Sequence, residues 1–167
     1  HRGGKALKEW KIKLSDDIQY HKFVQFNFFR QWKAVRDYAN KNGIKIIGDM
    51  PIFIAYDSAD LWANKEIFSV DEDGKLETVA GVPPDYFSPT GQLWGNPLYR
   101  WKVMEKDDFL WMRKRFASLY ELIDIVRIDH FRGFDAYWEI PGDAKTAIKG
   151  RWVKAPGEKL FKSLIKH

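Results

Sequence analysis

Two short strand-forming runs, IKIIGD at residues 44–49 and IVRID at 125–129, each follow a stretch in which apolar residues recur at helical spacing, and each ends on a carboxylate. Helix then strand, repeated, is the alternation that a parallel sheet requires, because parallel neighbours must be joined by a crossover. Val24, Phe28, Trp32, Val35 and Ala39 recur at steps of four, four, three and four, which predicts a helix over 19–42 that Gly43 stops. Met112, Phe116, Leu119 and Ile123 repeat that spacing before the second run, with Asp107 or Asp108 available as a cap. Both runs are too apolar for one face to meet water, so the pattern predicts strands covered on both sides in an α/β fold.

With 167 residues, 45% of them hydrophobic and 31% charged, the chain is long enough for a single domain with a sizeable core. No stretch approaches the roughly 20 apolar residues of a membrane span, and the opening HRGGKALKEWKIKL is basic without the apolar run of a secretory signal. No membrane partner is expected. The absence of cysteine removes disulfide and thiolate chemistry and is compatible with a reducing compartment. A net charge of +5 would suit a nucleic acid if it were clustered, but the lysines are scattered, and the run Arg113-Lys114-Arg115 sits within a helical pattern as a solvated face. No nucleic-acid partner is expected either.

More than fifty residues separate the first strand from the second helical pattern, among them Pro83, Pro84, Pro89 and Pro97 and the aromatics Tyr86, Phe87, Trp94 and Trp101. A connection of that length is functional or holds small elements of its own. Asp73-Gly74 reads as a hairpin turn; DEDG lacks the remaining ligand spacing of a calcium loop. There is no internal repeat.

Residues two apart in a strand share a face, so Ile125, Arg127 and Asp129 point one way, Val126 and Ile128 the other, and Ile47 shares a face with Asp49. If Val126 and Ile128 pack on helices, two carboxylates and a guanidinium meet at the C-terminal edge of adjacent strands, where parallel α/β folds place their chemistry. A single Asp–Arg pair could be a neutralised structural pair. The surplus carboxylate favours chemistry: beside Arg127, Asp129 stays ionised, as a nucleophile or a metal ligand. His130 falls on the opposite strand face and by itself reads as a hydrogen-bonded structural histidine. Phe131 to Trp138 continues as a loop suited to lining a site.

VRIDHFRGF, GDMPIFIAYDSADLW, AGVPPDYFSPTGQLWGNPLYRW and AYWEIP resemble the blocks of the 4-alpha-glucanotransferases, glycoside hydrolase family 77 of the alpha-amylase clan, from about residue 18 to the end. The resemblance implies α/β architecture as a partial (β/α)8 TIM barrel. Residues 1–167 would be one segment of the catalytic barrel, with 57–105 as a long loop or subdomain insertion over the active-site face. It implies retaining transfer of part of an α-1,4-glucan to the 4-hydroxyl of an acceptor sugar. Asp129 would be the nucleophile that forms a covalent glycosyl-enzyme. Arg127 and His130 would contact it or the sugar, Asp49 would match the carboxylate of the preceding strand motif, and Gln92 and Trp94 would belong to a loop closing over the sugar chain. Alternatively, Trp94 simply anchors an irregular loop. No cofactor and no metal are implied; the partners would be α-1,4-glucans, maltooligosaccharides and the remainder of the barrel, in the parent chain or in trans. The setting would be a bacterial cytoplasm, with the plastid stroma as the alternative.

Family members carry the general acid glutamate on the following strand and a further aspartate beyond it, so the resemblance makes this chain an internal piece that is inactive alone. Glu139 in AYWEIP is a nearby glutamate to which the resemblance gives no such role. Two other functions compete: a metal-dependent hydrolase using Asp49, Asp129 and His130, which lacks a second well-placed histidine, and a non-catalytic glucan-binding module using Trp94, Trp101 and Tyr86.

Overall fold

Helix α1 (Gly4–Lys13) and the 27-residue α2 (Ser15–Lys41) open a computed structural model that describes residues 3–166; His1, Arg2 and His167 of the sequence lie outside the described residues. There follow β1 (Ile47–Pro51), α3 (Ala59–Ala63), β2 (Thr78–Val82), β3 (Gln92–Pro97), α4 (Trp101–Met104), α5 (Leu110–Tyr120), β4 (Ile125–Asp129), β5 (Ala136–Pro141), β6 (Arg151–Lys154) and α6 (Gly157–Lys166). The class is mixed α/β, as the alternating patterns predict. Two compact units divide the chain, one running to Ile47 and including Glu121–Ile125, the other comprising Gly48–Tyr120 and Val126 onward.

In the first unit α2 begins earlier than the apolar spacing predicts, with Asp16 and Asp17 in its first turn, where the helix dipole favours negative charge. Gly43 ends it as expected, at a φ of 74°. The face of α2 that makes contacts is polar. Trp32 Nε1 donates to Leu122 O at 2.7 Å, Arg36 Nη1 to Glu121 O at 2.8 Å, and the Asp124 carboxylate collects Arg36, Asn40 Nδ2 and the Ile46 backbone N–H. Val24, Phe28 and Val35, expected on a packed face, are exposed. The first strand also starts later than predicted, at Ile47, because Ile44 O and Ile46 N are engaged by Asn40 and Asp124 side chains instead of a ladder. It includes Pro51 as its last residue, where a missing N–H is tolerated.

In the second unit, β1 from Gly48 and β4 from Val126 are neighbours in a two-stranded sheet. β4 spans the residues that the sequence predicts, and its burial alternates: Val126 and Ile128 pack on the core, while Arg127 and Asp129 stay exposed. The expectation that both faces are covered fails. Ile47 and Ile125, on the other face, are 62% and 42% exposed. α5 is capped through Asp107 Oδ1, which accepts from Leu110 N at 3.2 Å, and ends before Ile123, which is buried beyond the helix. The Asp73-Gly74 turn closes an antiparallel bridge between Val70 and Leu76.

A four-stranded sheet in the order β3-β2-β5-β6, antiparallel throughout, was not foreseen. It joins two strands from within 57–105 to two from beyond β4. Close approach of β3 to β2 requires Gly81, since a Cβ there would lie 2.2 Å from Gln92 O. The main core gathers Met50, Phe68, Met104, Met112, Phe134 and Leu160, and a smaller cluster of Val79, Ile140 and Ala147 packs on the sheet.

The Asp124 carboxyl is pulled below its usual 3.8 to about 2, first by the Ile46 N–H, then by Asn40 and Arg36. A value lower in the folded than in the unfolded chain means that ionisation favours folding, so this contribution is present above about pH 4 and is lost as pH falls toward 2. Urea midpoints measured across that window should therefore fall more steeply for the wild type than for Asp124→Asn, and parallel profiles would show that the network does not couple to folding.

Candidate active site

The exposed rim of β1 and β4 carries the chemistry. Arg127 donates from Nε to Asp49 Oδ1 and from Nη2 to Asp49 Oδ2, both at 2.5 Å, a two-toothed pairing that fixes the plane of both groups. These hydrogen bonds hold the Asp49 carboxyl below its usual range, and Asp49 holds the guanidinium pKa up, with the nearby Asp129 charge adding to it. Both partners are solvated, so the pair gives orientation more than stability. The guanidinium expected to serve Asp129 is thus bonded to Asp49, while the Asp129 carboxylate lies exposed on the same face.

β4 ends at Asp129, and His130 takes a left-handed φ of 52° and starts a tight turn over Phe131–Phe134. The turn closes onto the imidazole because Gly133 has no side chain: a Cβ there would meet Ile52 Cδ1 at 2.7 Å and His130 Cδ2 at 3.0 Å. The His130 ring stands edge-on against Trp94, centroids 4.9 Å apart, and its Nε2 is buried without a hydrogen-bond partner. Burial pushes the imidazole pKa down; the Asp129 charge opposes this, and Arg132 adds to it. Trp94 Nε1 in turn donates to Gln92 Oε1 at 3.0 Å. All six predicted residues therefore lie in one run of neighbours, from Asp49 through Arg127, Asp129, His130 and Trp94 to Gln92.

Two placements correct the sequence. Gln92 and Trp94 sit on strand β3 and not on a loop, since their segment pairs with β2. Trp101 is 7% exposed within the core and cannot be a binding platform, because its faces are taken by Tyr99, Phe109 and Phe134. The exposed aromatics lie elsewhere: Tyr86 and Phe87 are 96% and 91% exposed. Their turn is held by Asp85 Oδ1, which accepts from Phe87 N at 2.9 Å and Ser88 N at 2.8 Å. The PPDYFS run signals that turn, although Phe87 drew no role from it. Glu139 is bound by Arg151 at 2.7 Å. Among the described residues no three His, Asp or Glu side chains converge as a metal-binding group, and Asp49 commits both oxygens to Arg127.

The sequence profile of glycoside hydrolase family 77, described as 4-alpha-glucanotransferase, matches residues 1–167. The chain belongs to this family. A 4-alpha-glucanotransferase of Thermus thermophilus is 58% identical over 98% of the chain, and a chloroplastic/amyloplastic one of Solanum tuberosum 52% identical over 96%. The chain spans about a third of the length of these relatives, 33% and 28% respectively. An amylomaltase from Streptococcus agalactiae, solved in complex with acarbose, superposes with a TM-score of 0.96 at 46% identity, covering 99% of this chain and 33% of that one. An amylomaltase from Corynebacterium glutamicum shares the fold at a TM-score of 0.76 and 18% identity, over 87% of this chain and 20% of that one. This glycoside hydrolase family 77 segment thus carries its strand-end carboxylates and its Trp94–His130 contact within one folded unit.

Trp94 covers the His130 ring, so Trp94→Ala should raise the His130 pKa back toward its ordinary value. Carbon-13 NMR of the imidazole against pH reads this directly; an unmoved titration would mean that other groups exclude the water.

Proposed function

We propose that the longer chain containing these residues is a 4-alpha-glucanotransferase that works by retention, with Asp129 as its nucleophile. The observation that supports this best is the exposed Asp129 carboxylate beside an Arg127 already oriented by Asp49. In the first step an Asp129 oxygen attacks the anomeric carbon of an α-1,4-glucan, the glycosidic bond breaks, and a protonated carboxyl gives its proton to the departing sugar oxygen. In the second, the 4-hydroxyl of an acceptor sugar attacks the covalent glycosyl-enzyme, returns a proton to that carboxyl, and frees Asp129. A retaining pair stands about 5 to 5.5 Å apart, and the proton donor belongs to a part of the parent beyond these residues.

His130, held edge-on against Trp94, would contact the sugar or the adjacent Asp129, with Trp94 and Gln92 forming a wall of the sugar site. Tyr86 and Phe87 would give the glucan apolar faces and help exclude water, so that an acceptor sugar outcompetes hydrolysis. Segment 57–105 would lie over the active-site face. The rest of a (β/α)8 barrel would cover the exposed Ile47 and Ile125. A groove of about 540 Å³ lined by Phe116, Val126, Ile128, Phe161 and Leu164 also favours further chain against this unit. No helix among the described residues is long and apolar enough to cross a membrane. The Thermus thermophilus and chloroplastic/amyloplastic Solanum tuberosum relatives support a bacterial cytoplasm or a plastid as the parent's setting.

Maltotriose is the direct test. The parent should disproportionate it to glucose and longer chains, and Asp129→Asn should lower kcat by roughly 10³-fold or more. A parent without transfer, or a variant that keeps it, overturns the proposal. The 167-residue chain alone should show no turnover, and Asp129-dependent activity in it would show that no outside proton donor is needed.

A further inference from the structure

Ile52, Phe53 and Ile54 leave the end of β1 as buried, irregular chain. Buried carbonyls without a strand partner need other donors, and here side chains supply them. Arg115 on α5 donates from Nη2 to Pro51 O at 2.6 Å and from Nη1 to Ile52 O at 3.0 Å. Ile52 O also accepts from the Tyr99 hydroxyl at 2.6 Å, and the Tyr99 oxygen accepts from Arg115 Nη1 at 3.0 Å. Asn96 Nδ2 donates to Ile54 O at 2.8 Å. The guanidinium rests over Trp111, 5.5 Å from the ring centroid, which fixes its plane and hence the direction of its donors. All three of these Arg115 hydrogen bonds go to neutral oxygens.

We infer that Arg115 is a positioning residue for the transfer reaction: by gripping the carbonyls of Pro51 and Ile52 it fixes the end of β1, and with it the Asp49 carboxylate that orients Arg127 beside Asp129. The catalytic consequence rests on the glucanotransferase reading; the geometric one does not. Asp49 and Pro51 belong to the same short strand, and at its end the carbonyls of Pro51 and Ile52 take their hydrogen bonds from the Arg115 side chain. A shift of this end moves Asp49 directly. Since Asp49 and Arg127 are joined through both carboxylate oxygens, the guanidinium follows. Lysine could keep the charge and one donor, but not the planar fork that reaches successive carbonyls.

The test uses the full-length parent with Arg115→Met, Arg115→Lys, Tyr99→Phe and a control, Val153→Ala, which trims a partly buried side chain packed on the core. Two readouts are taken, maltotriose kinetics and the Asp49 titration by carbon-13 NMR. Arg115→Met should lower kcat about tenfold or more with KM within about threefold, as expected for a small misplacement of reacting groups, and Arg115→Lys should recover part of it. The Asp49 pKa should rise toward its ordinary value in Arg115→Met, while Val153→Ala should lower the melting temperature and leave kcat and the Asp49 titration in place. An unchanged Asp49 titration overturns the inference whatever happens to kcat, as does an unchanged kcat in an active parent or an equal loss in Val153→Ala. If Arg115→Met does not fold, Tyr99→Phe is judged by the same readouts. A wild-type parent that does not disproportionate maltotriose sinks the glucanotransferase reading separately, and the Asp49 titration alone then decides on Arg115.

Discussion

A strand that runs into the core without a partner for its continuation imposes a requirement on everything around it. After Pro51 the chain turns inward as Ile52, Phe53 and Ile54, all buried, and its carbonyls face side-chain donors from β3, α5 and the residue before α4's approach, Tyr99. Those donors are themselves immobilised. Phe53 packs on Tyr99 and Tyr137, Tyr99 on Trp101 and Trp111, and Arg115 on Trp111. Burial pushes the Tyr99 hydroxyl pKa up, so it remains a donor throughout the physiological range. The aromatic richness of the chain, 16% of its residues, thus has a structural use distinct from sugar stacking: it locks the donors that define one end of the site.

On the rim itself, electrostatics serves geometry. The Asp49–Arg127 pair is well solvated, and water screens such a pair too strongly for it to hold strands together. What it does is remove rotamer freedom from a guanidinium one strand position pair away from Asp129. The mixture on that face is also informative. Isoleucines 47 and 125 stand beside charged side chains and are open to solvent, an arrangement that suits the interior of a larger assembly, where apolar and polar groups line the same cavity. Likewise α2 contacts its own unit through Trp32, Arg36 and Asn40, while Phe23, Phe26 and Phe29 remain exposed.

Periodicity made β4, α5 and most of α2 legible, because each is specified by its own residues: alternation in IVRID, and steps of three and four in the helices. It could place Asp49, Arg127 and Asp129 on one rim for the same reason. The four-stranded sheet was not legible, since β2 contains Gly81 and runs into Pro83, β5 carries the charge of Glu139, and pairing partners such as Gly81 and Trp138 are far apart in sequence. The family resemblance assigns Trp94 to a closing loop, whereas the ladder to β2 and the contact with His130 decide its place. Arg115 was masked by its neighbours: within Arg113-Lys114-Arg115 only the third basic residue faces the end of β1, and nothing local distinguishes it.

The proposed chemistry needs one carboxylate that stays ionised and one that arrives protonated, and the surroundings of the carboxylates here sort them. Asp49 has both oxygens on a guanidinium and is driven toward the charged form, which disqualifies it as a donor of protons near neutral pH. Glu139 accepts from Arg151 and lies on the four-stranded sheet, not on the β1–β4 rim. Asp129 shares its face with Arg127 and stands exposed there. A proton donor for the departing sugar must instead sit where burial outweighs neighbouring positive charge, and such a site requires walls that the open face of β1 and β4 does not have on its own. Closing that face is therefore more than a matter of stability: the same walls that cover Ile47 and Ile125 would create the low-dielectric environment in which a second carboxyl keeps its proton.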